Sequence, residues 1–245
     1  MRMFRLTLDK GVTNITEGFP SAEAGIDELS QAENFDLDDQ HRGRLRKGRL
    51  QRLAIDSPHS LYVFKGQSWF VADGVLKRFN LDYSASDLAT LSNNARLHYE
   101  PVNDELVASN GSEIGWLDSE SFTPFAPSLG QFELPMPGGQ YLAMSNGCLV
   151  VASGSTLYVS KPWNIEVRDS RLSEYPLDGY IRMLAAVEDG LWVSTDKHVG
   201  FLSGDGSDEW TYEERSDNVP PDGCFGSCYQ REGTTLTRLV YWASD

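Results

Sequence analysis

The chain has few of the features that mark secreted, membrane and metal-binding proteins. Its 245 residues include three cysteines, of which only Cys224 and Cys228 lie close together, so we predict free, buried thiols and no disulfide framework. Its four histidines show no zinc-ligand spacing, and we expect no metal and no cofactor. No apolar run approaches the ~20 residues of a membrane span, and the first residues lack the apolar core of a secretion signal. We therefore expect a cytosol-like site of synthesis and no membrane partner.

Positive charge is also scarce. Lys and Arg number 21 against 36 Asp and Glu, which gives a formal net charge of −15 at pH 7. A field of that sign repels nucleic acid and anionic surfaces unless a basic patch is set apart. General DNA coating is therefore not expected.

An internal repeat is present instead. Four short apolar segments end in small residues and a turn at residues 74, 111, 154 and 197, which are 37, 43 and 43 residues apart, and a similar fifth segment closes the chain. Each of the four is followed by a second strand-like segment, and each of the five is preceded by another. A period of ~40–50 residues is typical of a four-stranded propeller blade. Asp-Gly, Asn-Gly and Ser-Gly pairs supply the tight hairpin turns.

The repeat predicts an all-β fold, a β-propeller of about five four-stranded blades. The outer strands are weaker in sequence, and the candidates for them are residues 122–127, 165–170 and 208–214. Residues 2–9 resemble residues 75–82, and both segments end in Leu-Asp. We therefore predict that the N-terminal strand closes the ring, which removes an open sheet edge.

This scheme makes the chain a single propeller domain, residues 1–245. Within it we predict a closing strand at 1–16, a connector with a basic run at 17–56, and blades at 57–245. The connector is rich in helix formers around 22–32, so we expect a short helix or an extended segment there.

The basic run is the candidate site of partner binding. Six basic residues and no acidic one lie between positions 42 and 52, and in a strand alternate members would share one face. The run could bind an acidic partner protein or, with less support, DNA phosphates. It could also be a solvated strand paired with the nearby Asp36, Asp38 and Asp39. The candidate residues are Arg42, Arg44, Arg46, Lys47, Arg49 and Arg52.

Catalytic motifs are absent from the sequence. There is no phosphate-binding glycine loop and no serine-hydrolase elbow. Carboxylates are abundant, but sequence alone cannot place two of them at the separation that glycoside hydrolysis requires. We expect no catalytic residues, and we keep a carbohydrate-binding or glycoside-hydrolysing propeller as the alternative.

Two stretches resemble the β-propeller virion proteins of tailed bacteriophages. The connector of that family ends in a pattern like A-x-N-x-D-x-D-D-x-G-R-L-R-x-R, and the matching residues here include Asp36, Asp38, Asp39 and residues 43–46, with His41 and Arg42 as an apparent insertion. Residues 157–167 and 185–204 are similar to its typical blade, although Ile165 stands where the family often has Pro. The resemblance covers residues 32–204, and the remainder matches weakly.

The resemblance implies a structural role. We expect a minor tail or head-to-tail protein, akin to those that stabilise packaged DNA in short-tailed phages, assembled into the virion in the host cytoplasm. Its partners would be other tail or connector proteins, with a homo-oligomer in a symmetric tail as a further possibility. It would not be an enzyme. In the alternative, the propeller would serve as a receptor-binding module at the tail tip.

Overall fold

The computed structural model describes residues 53–204, 209–232 and 235–243, together with the backbone of four short strands nearer the N-terminus. The chain divides into two compact units, Met1–Arg52 and Leu53–Asp245. In the first unit β1 (Gly11–Val12) pairs in parallel with β2 (Glu28–Leu29), and β3 (Phe35–Leu37) pairs with β4 (Gly43–Leu45). The predicted closing strand at 2–9 lies outside the described residues, and of the connector at 17–56 only β2, β3, β4 and residues 53–56 are described.

The second unit begins with two four-stranded antiparallel sheets. Sheet A contains β5 (His59–Phe64), β6 (Gln67–Ala72), β7 (Val75–Phe79) and β8 (Ala85–Thr90) in chain order. Sheet B contains β9 (His98–Val102), β10 (Glu105–Ser109), β11 (Ile114–Leu117) and β12 (Phe122–Pro124). Each sheet is a meander in which every strand pairs with the next.

Sheet C is interrupted by a small side sheet. A side strand, β13 (Glu133–Pro135), precedes β14 (Tyr141–Ser145), β15 (Cys148–Ser153) and β16 (Thr156–Val159). It pairs with β17 (Val167–Asp169), and β18 (Glu174–Pro176) then completes sheet C beside β16. Sheet D contains β19 (Ile181–Val187), β20 (Gly190–Thr195), β21 (Val199–Ser203) and β22 (Thr211–Ser216). The last pair is a hairpin of β23 (Phe225–Glu232) and β24 (Thr235–Trp242).

Hairpin turns form where the sequence supplies residues that tolerate positive φ. Asn146 and Gly147, with φ of 49° and 75°, close the β14–β15 hairpin through the Ser145–Cys148 pair. A two-residue loop with positive φ at both positions matches the right-handed twist of the flanking strands. The Asn-Gly signal therefore fixes the register of sheet C, and with it which residues face each neighbouring sheet.

The core lies between successive sheets stacked face to face. One cluster joins sheets A and B around Trp69, Leu76 and Leu106, and a second joins sheets B and C around Val107 and Leu149. A third cluster joins sheets C and D and is built from residues such as Val150, Leu157, Leu184, Leu191 and Leu202. The second strand of each sheet is largely buried on both faces, which explains its short, nearly continuous apolar run; these strands are β6, β10, β15 and β20.

The first strands of sheets A to D, here called the inner strands, run in the same direction. Ser60 near the start of β5 contacts Leu97 and Tyr99, while Lys65 after its end pairs with Asp104 after the end of β9. The hairpins that join first to second strands therefore lie at one common end of the unit. We call this the turn end, and it comprises the turns at 65–66, 103–104, 146–147 and 188–189.

The all-β prediction is confirmed, and so are the inner and middle strands of each repeat. Two outer strands also form near their predicted segments, β12 and β22. The prediction of an outer strand at residues 165–170 was wrong, because these residues contribute β17 to the side sheet. The chain turns at Trp163 after β16, and the strand that pairs with the outer side of β16 is the later β18. No helix occurs among the described residues, so none there could span a membrane. All three cysteines are free thiols, as predicted. The expectation that they are buried was wrong for Cys224 and Cys228, which are exposed.

Candidate functional site

The inner strands and the β23–β24 hairpin line a cavity of about 450 Å³. This volume lies within the ~300–1,000 Å³ range of small-molecule sites. Its wall is partly aromatic, its floor is built of small and aliphatic residues, and a few polar side chains reach it. The principal lining residues are Tyr62, His98, Glu100, Ala143, Ala185, Ala186, Phe225, Tyr229 and Arg238.

Two polar side chains of β9 bind the edge of β14. The Leu142 N–H donates to Nδ1 of His98 at 3.2 Å, and the Met144 N–H donates to Oε1 of Glu100 at 3.0 Å. Alternate residues of an edge strand direct their N–H groups away from the ladder, and an unpaired edge invites pairing with another chain. His98 and Glu100 therefore satisfy an edge that no neighbouring strand covers.

Burial favours the neutral forms of the Glu100 carboxyl and the His98 imidazole. It raises the pKa of the Glu100 carboxyl to about 7, although the Met144 N–H and the Arg238 guanidinium both act to lower it. Burial lowers the pKa of His98 to about 4, so the imidazole is neutral at physiological pH. The bond from Leu142 requires an unprotonated Nδ1, which places the remaining ring proton on Nε2.

Arg238 and Tyr62 complete the polar wall. Arg238 Nε donates to Ser227 Oγ at 3.2 Å, and its main-chain N–H donates to Glu188 at 2.8 Å. The Tyr62 ring stacks on Tyr99 with centroids 4.7 Å apart. Burial, and then the Glu100 charge, raise the pKa of the Tyr62 hydroxyl, so it stays protonated. The cavity thus offers a guanidinium, a phenol and a carboxyl that titrates near neutrality.

A second, smaller pocket of about 200 Å³ lies at the turn end between sheets A and B. Two of its three lining carboxylates take part in contacts of the fold: Asp104 pairs with Lys65 at 2.7 Å, and Asp118 accepts the N–H groups of Glu120 and Ser121, while Glu105 is the third. Glu100 is the one carboxylate among the described lining residues of the central cavity. The central cavity therefore does not present the two facing carboxylates that glycoside hydrolysis uses.

The turn end also exposes large apolar side chains. Leu81 is 98% exposed and Trp163 is 84% exposed, and both belong to connections at this end of their sheets. We call the set the turn-end patch, and it comprises Leu81, Tyr83, Trp163 and Leu172. Large exposed apolar side chains grouped on one side of a protein are typical of an interaction surface.

The six predicted partner-binding residues lie outside the described side chains. Arg42, Arg46, Lys47, Arg49 and Arg52 are not described, and Arg44 is placed only by its backbone in β4. There Asp36 lies directly opposite Arg44 in the β3–β4 register. The docking role of the basic run therefore stays a prediction.

Sequence reasoning missed His98, Glu100 and Arg238. A signal for Glu100 was available, because a charged residue in the middle of an otherwise apolar inner strand must find a partner or a cavity. The sequence carries no comparable signal for Arg238, because its position near the cavity depends on the way the β23–β24 hairpin packs. In the described part of the chain no three His, Cys, Asp or Glu side chains converge as a metal site would require.

No protein-family model and no curated protein matches the chain. Among solved structures it is similar to virginiamycin B lyase from Staphylococcus aureus, at 13% identity over 76% of this chain and 71% of that one, with a TM-score of 0.48. A streptogramin B lyase matches at 13% identity over 86% and 76%, with a TM-score of 0.46. Hsv2 of Kluyveromyces lactis matches at 9% identity over 84% and 76%, with a TM-score of 0.40.

These matches correct one expectation. We expected a protein that is not an enzyme, and that exclusion was wrong, since two of the similar structures are lyases. It rested on the absence of sequence motifs, which does not rule out a site assembled from separate strands, such as the central cavity. At such low identity and TM-score, no substrate or reaction passes from those lyases to this chain.

Proposed function

We propose that the chain is a structural component of a tailed-phage virion that binds neighbouring tail or connector proteins. The observation that carries the proposal is the turn-end patch, where Leu81 and Trp163 are almost fully exposed. Apolar side chains of this size are costly to leave in water, and a neighbouring protein that covers them gains roughly 1.5–3 kcal/mol for each one fully buried.

The sequence supports the kind of partner. The Asp-rich turn followed by Gly43, Arg44, Leu45 and Arg46 resembles the connector of phage propeller proteins, and residues 185–204 resemble their blade. The chain would then be assembled into the virion in the host cytoplasm, with tail or connector proteins, or further copies of itself, against the turn end. The basic run would be a second docking element.

The same proposal includes a closed ring of five blades. In it, sheets A to D are four blades and the β23–β24 hairpin belongs to the fifth, to which residues 2–9 add a strand. Two exposed apolar faces support closure. Leu61 and Val63 are 70% and 62% exposed on β5, and Leu239 and Tyr241 are 40% and 60% exposed on β24. A ring closed between sheet A and the hairpin would cover both faces.

The test uses virus particles. Particles from the source system are purified on a density gradient, and the particle fraction is analysed for this protein by mass spectrometry. We expect it at a fixed low copy number in intact particles. Its absence from particles, with the protein left soluble, would overturn the virion role.

Variants separate the two docking elements. Leu81→Ser combined with Trp163→Ser is expected to lower incorporation, because the apolar contact is lost while the core is untouched. Tyr180→Ser is the matched control, since Tyr180 is 49% exposed but precedes β19 at the opposite end. Replacing the six basic residues by Gln tests the second element. Equal incorporation of the turn-end variant and its control would contradict docking through the turn end.

A further inference from the structure

The cavity is lined by the same position of all four inner strands. Tyr62, Glu100, Ala143 and Ala185 each stand two residues before the end of β5, β9, β14 and β19, and all four line it. In sheet B this position carries the carboxyl that binds the next inner strand. Sheets C and D carry alanine there, which leaves space instead of an acceptor.

In each inner strand the residue after this position differs in the hydrogen bond that its N–H group makes. In β9 this residue is Pro101, which has no N–H to satisfy. In β14 it is Met144, whose N–H donates to Glu100. In β19 it is Ala186, and the Val187–Gly190 pair that closes the hairpin directs the Ala186 N–H away from β20.

Sheet C cannot accept a hydrogen bond from the Ala186 N–H in the way that sheet B accepts one from the Met144 N–H. The residue equivalent to Glu100 is Ala143, and a methyl group accepts no hydrogen bond. The described residues provide this N–H with no acceptor. Leu184, two residues earlier, directs its N–H the same way and also lines the cavity. An edge donor left without a partner in a partly apolar site is unfavourable, because it has lost its hydrogen bonds to water.

We propose that the central cavity binds a small organic carboxylate, one oxygen of which accepts the Ala186 N–H above Ala143. Between sheets B and C, the Glu100 carboxyl accepts the Met144 N–H. The ligand carboxylate would accept the Ala186 N–H in the same way between sheets C and D. This site does not depend on the proposed virion role, because it uses only residues of the second unit.

The cavity wall indicates the rest of the ligand. Arg238 supplies a positive charge, and its bond to Ser227 holds the guanidinium at the wall. Phe225 and Tyr229 present aromatic surface, and the small side chains of the floor leave room for a ring. An aryl carboxylate fits this combination of one charge and apolar surroundings better than a polyol or a cation does.

Glu100 does not prevent the binding of an acid. Burial keeps its pKa at about 7, so at pH 6 the carboxyl is largely protonated and uncharged. While Oε1 accepts from Met144, a protonated Oε2 can donate a hydrogen bond. The binding assay is therefore made at pH 6.

The test is a titration of the ¹⁵N-labelled full chain with benzoate, with benzamide as a neutral ligand of similar shape. We expect benzoate to shift the amide resonances of Ala186 and Leu184 and to bind at least about tenfold more tightly than benzamide, because a charged acceptor forms the stronger hydrogen bond. Equal affinity for the two ligands, or unshifted Ala186 and Leu184 resonances at saturation, would overturn the proposal.

Variants locate the carboxylate. Ala143→Glu places a carboxyl where the ligand carboxylate would lie, and it should abolish benzoate binding and raise the melting temperature, as an internal copy of the Glu100 contact. Ala143→Leu fills similar space without an acceptor, so it should block binding without that stabilisation. Arg238→Gln should weaken binding by roughly tenfold or more. Benzoate affinity unchanged in both Ala143→Glu and Arg238→Gln would contradict the site.

Discussion

His98 and Glu100 stand two residues apart on β9, and both accept N–H groups from β14. This short polar pair thus satisfies two N–H groups of an edge strand with which no neighbouring strand pairs. Burial in the cavity favours the neutral form of both side chains, since it raises the pKa of Glu100 and lowers that of His98. Their ionisation should therefore be coupled to folding.

We predict that the two residues oppose each other in the pH dependence of stability. Glu100 has a pKa of about 7 in the folded protein against 4.5 in the unfolded chain, so its contribution is full below 4.5 and is lost as pH rises towards 7. His98 has a pKa of about 4 against 6.5, so its contribution is full above 6.5 and is lost as pH falls towards 4. Between pH 4.5 and 6.5 the two slopes largely cancel.

Single variants should reveal the separate slopes. Glu100→Gln keeps an acceptor for Met144 but does not titrate, and its free energy of unfolding should rise from pH 4.5 to 6.5 by up to about 1.4 kcal/mol per pH unit relative to the unmodified protein. His98→Asn keeps an oxygen near Nδ1 and should show the opposite slope. Urea unfolding at several pH values measures both. Parallel profiles for the two variants would refute the coupling.

At the scale of strands, the sequence predicts those strands whose bounds depend on local turns and apolar runs. The turn at Asn146-Gly147 and the apolar run of 148–154 specify β14 and β15 without reference to the rest of the chain. The fate of residues 165–170 is decided by tertiary contacts. Lys161 and Asn164 form an isolated bridge, and the Met136 N–H donates to Glu166 across to the side sheet. The bridge is local, but Met136 and Glu166 are far apart in the sequence, so no local pattern predicts the pairing of residues 165–170 with the side sheet.

We predict that the last hairpin is held to sheet D largely through Trp242. Its ring lies 5.7 Å from the Trp192 ring of β20, and its Nε1 donates to the Asn218 carbonyl at 3.0 Å. Trp242→Ala should release β23 and β24 while sheets A to C keep their packing. Native-state hydrogen exchange should then show lost protection confined mainly to 225–242.

Thr237→Ala is the matched control for the hairpin. Thr237 is exposed on the same strand, and its truncation removes little packing, so protection there should change by little. Faster exchange spread evenly over all sheets in Trp242→Ala would argue that the hairpin and sheet D unfold as one unit with the rest.

At the scale of the whole molecule, sheet A and the β23–β24 hairpin lie at the two ends of a row of sheets that pack in succession. The repeat predicted the order of the sheets, because each repeat encodes its own turns and apolar strands. It could not predict how the ends meet, because that depends on contacts between segments far apart in sequence. The exposed faces at Leu61 and Val63 and at Leu239 and Tyr241 are where such a contact would form.

We predict that one face of residues 2–9 stabilises the second unit. If this segment is a strand, Phe4, Leu6 and Leu8 share one face, whereas Arg5 and Thr7 share the other. Changing the three apolar residues to Ser should then uncover part of these faces and lower the melting temperature by roughly 5–10 °C, since ~1 kcal/mol corresponds to 2–4 °C at this size. Changing Arg5 and Thr7 to Ser should alter it by much less. Calorimetry distinguishes the two, and equal melting temperatures for both variants would mean that another segment covers the ends.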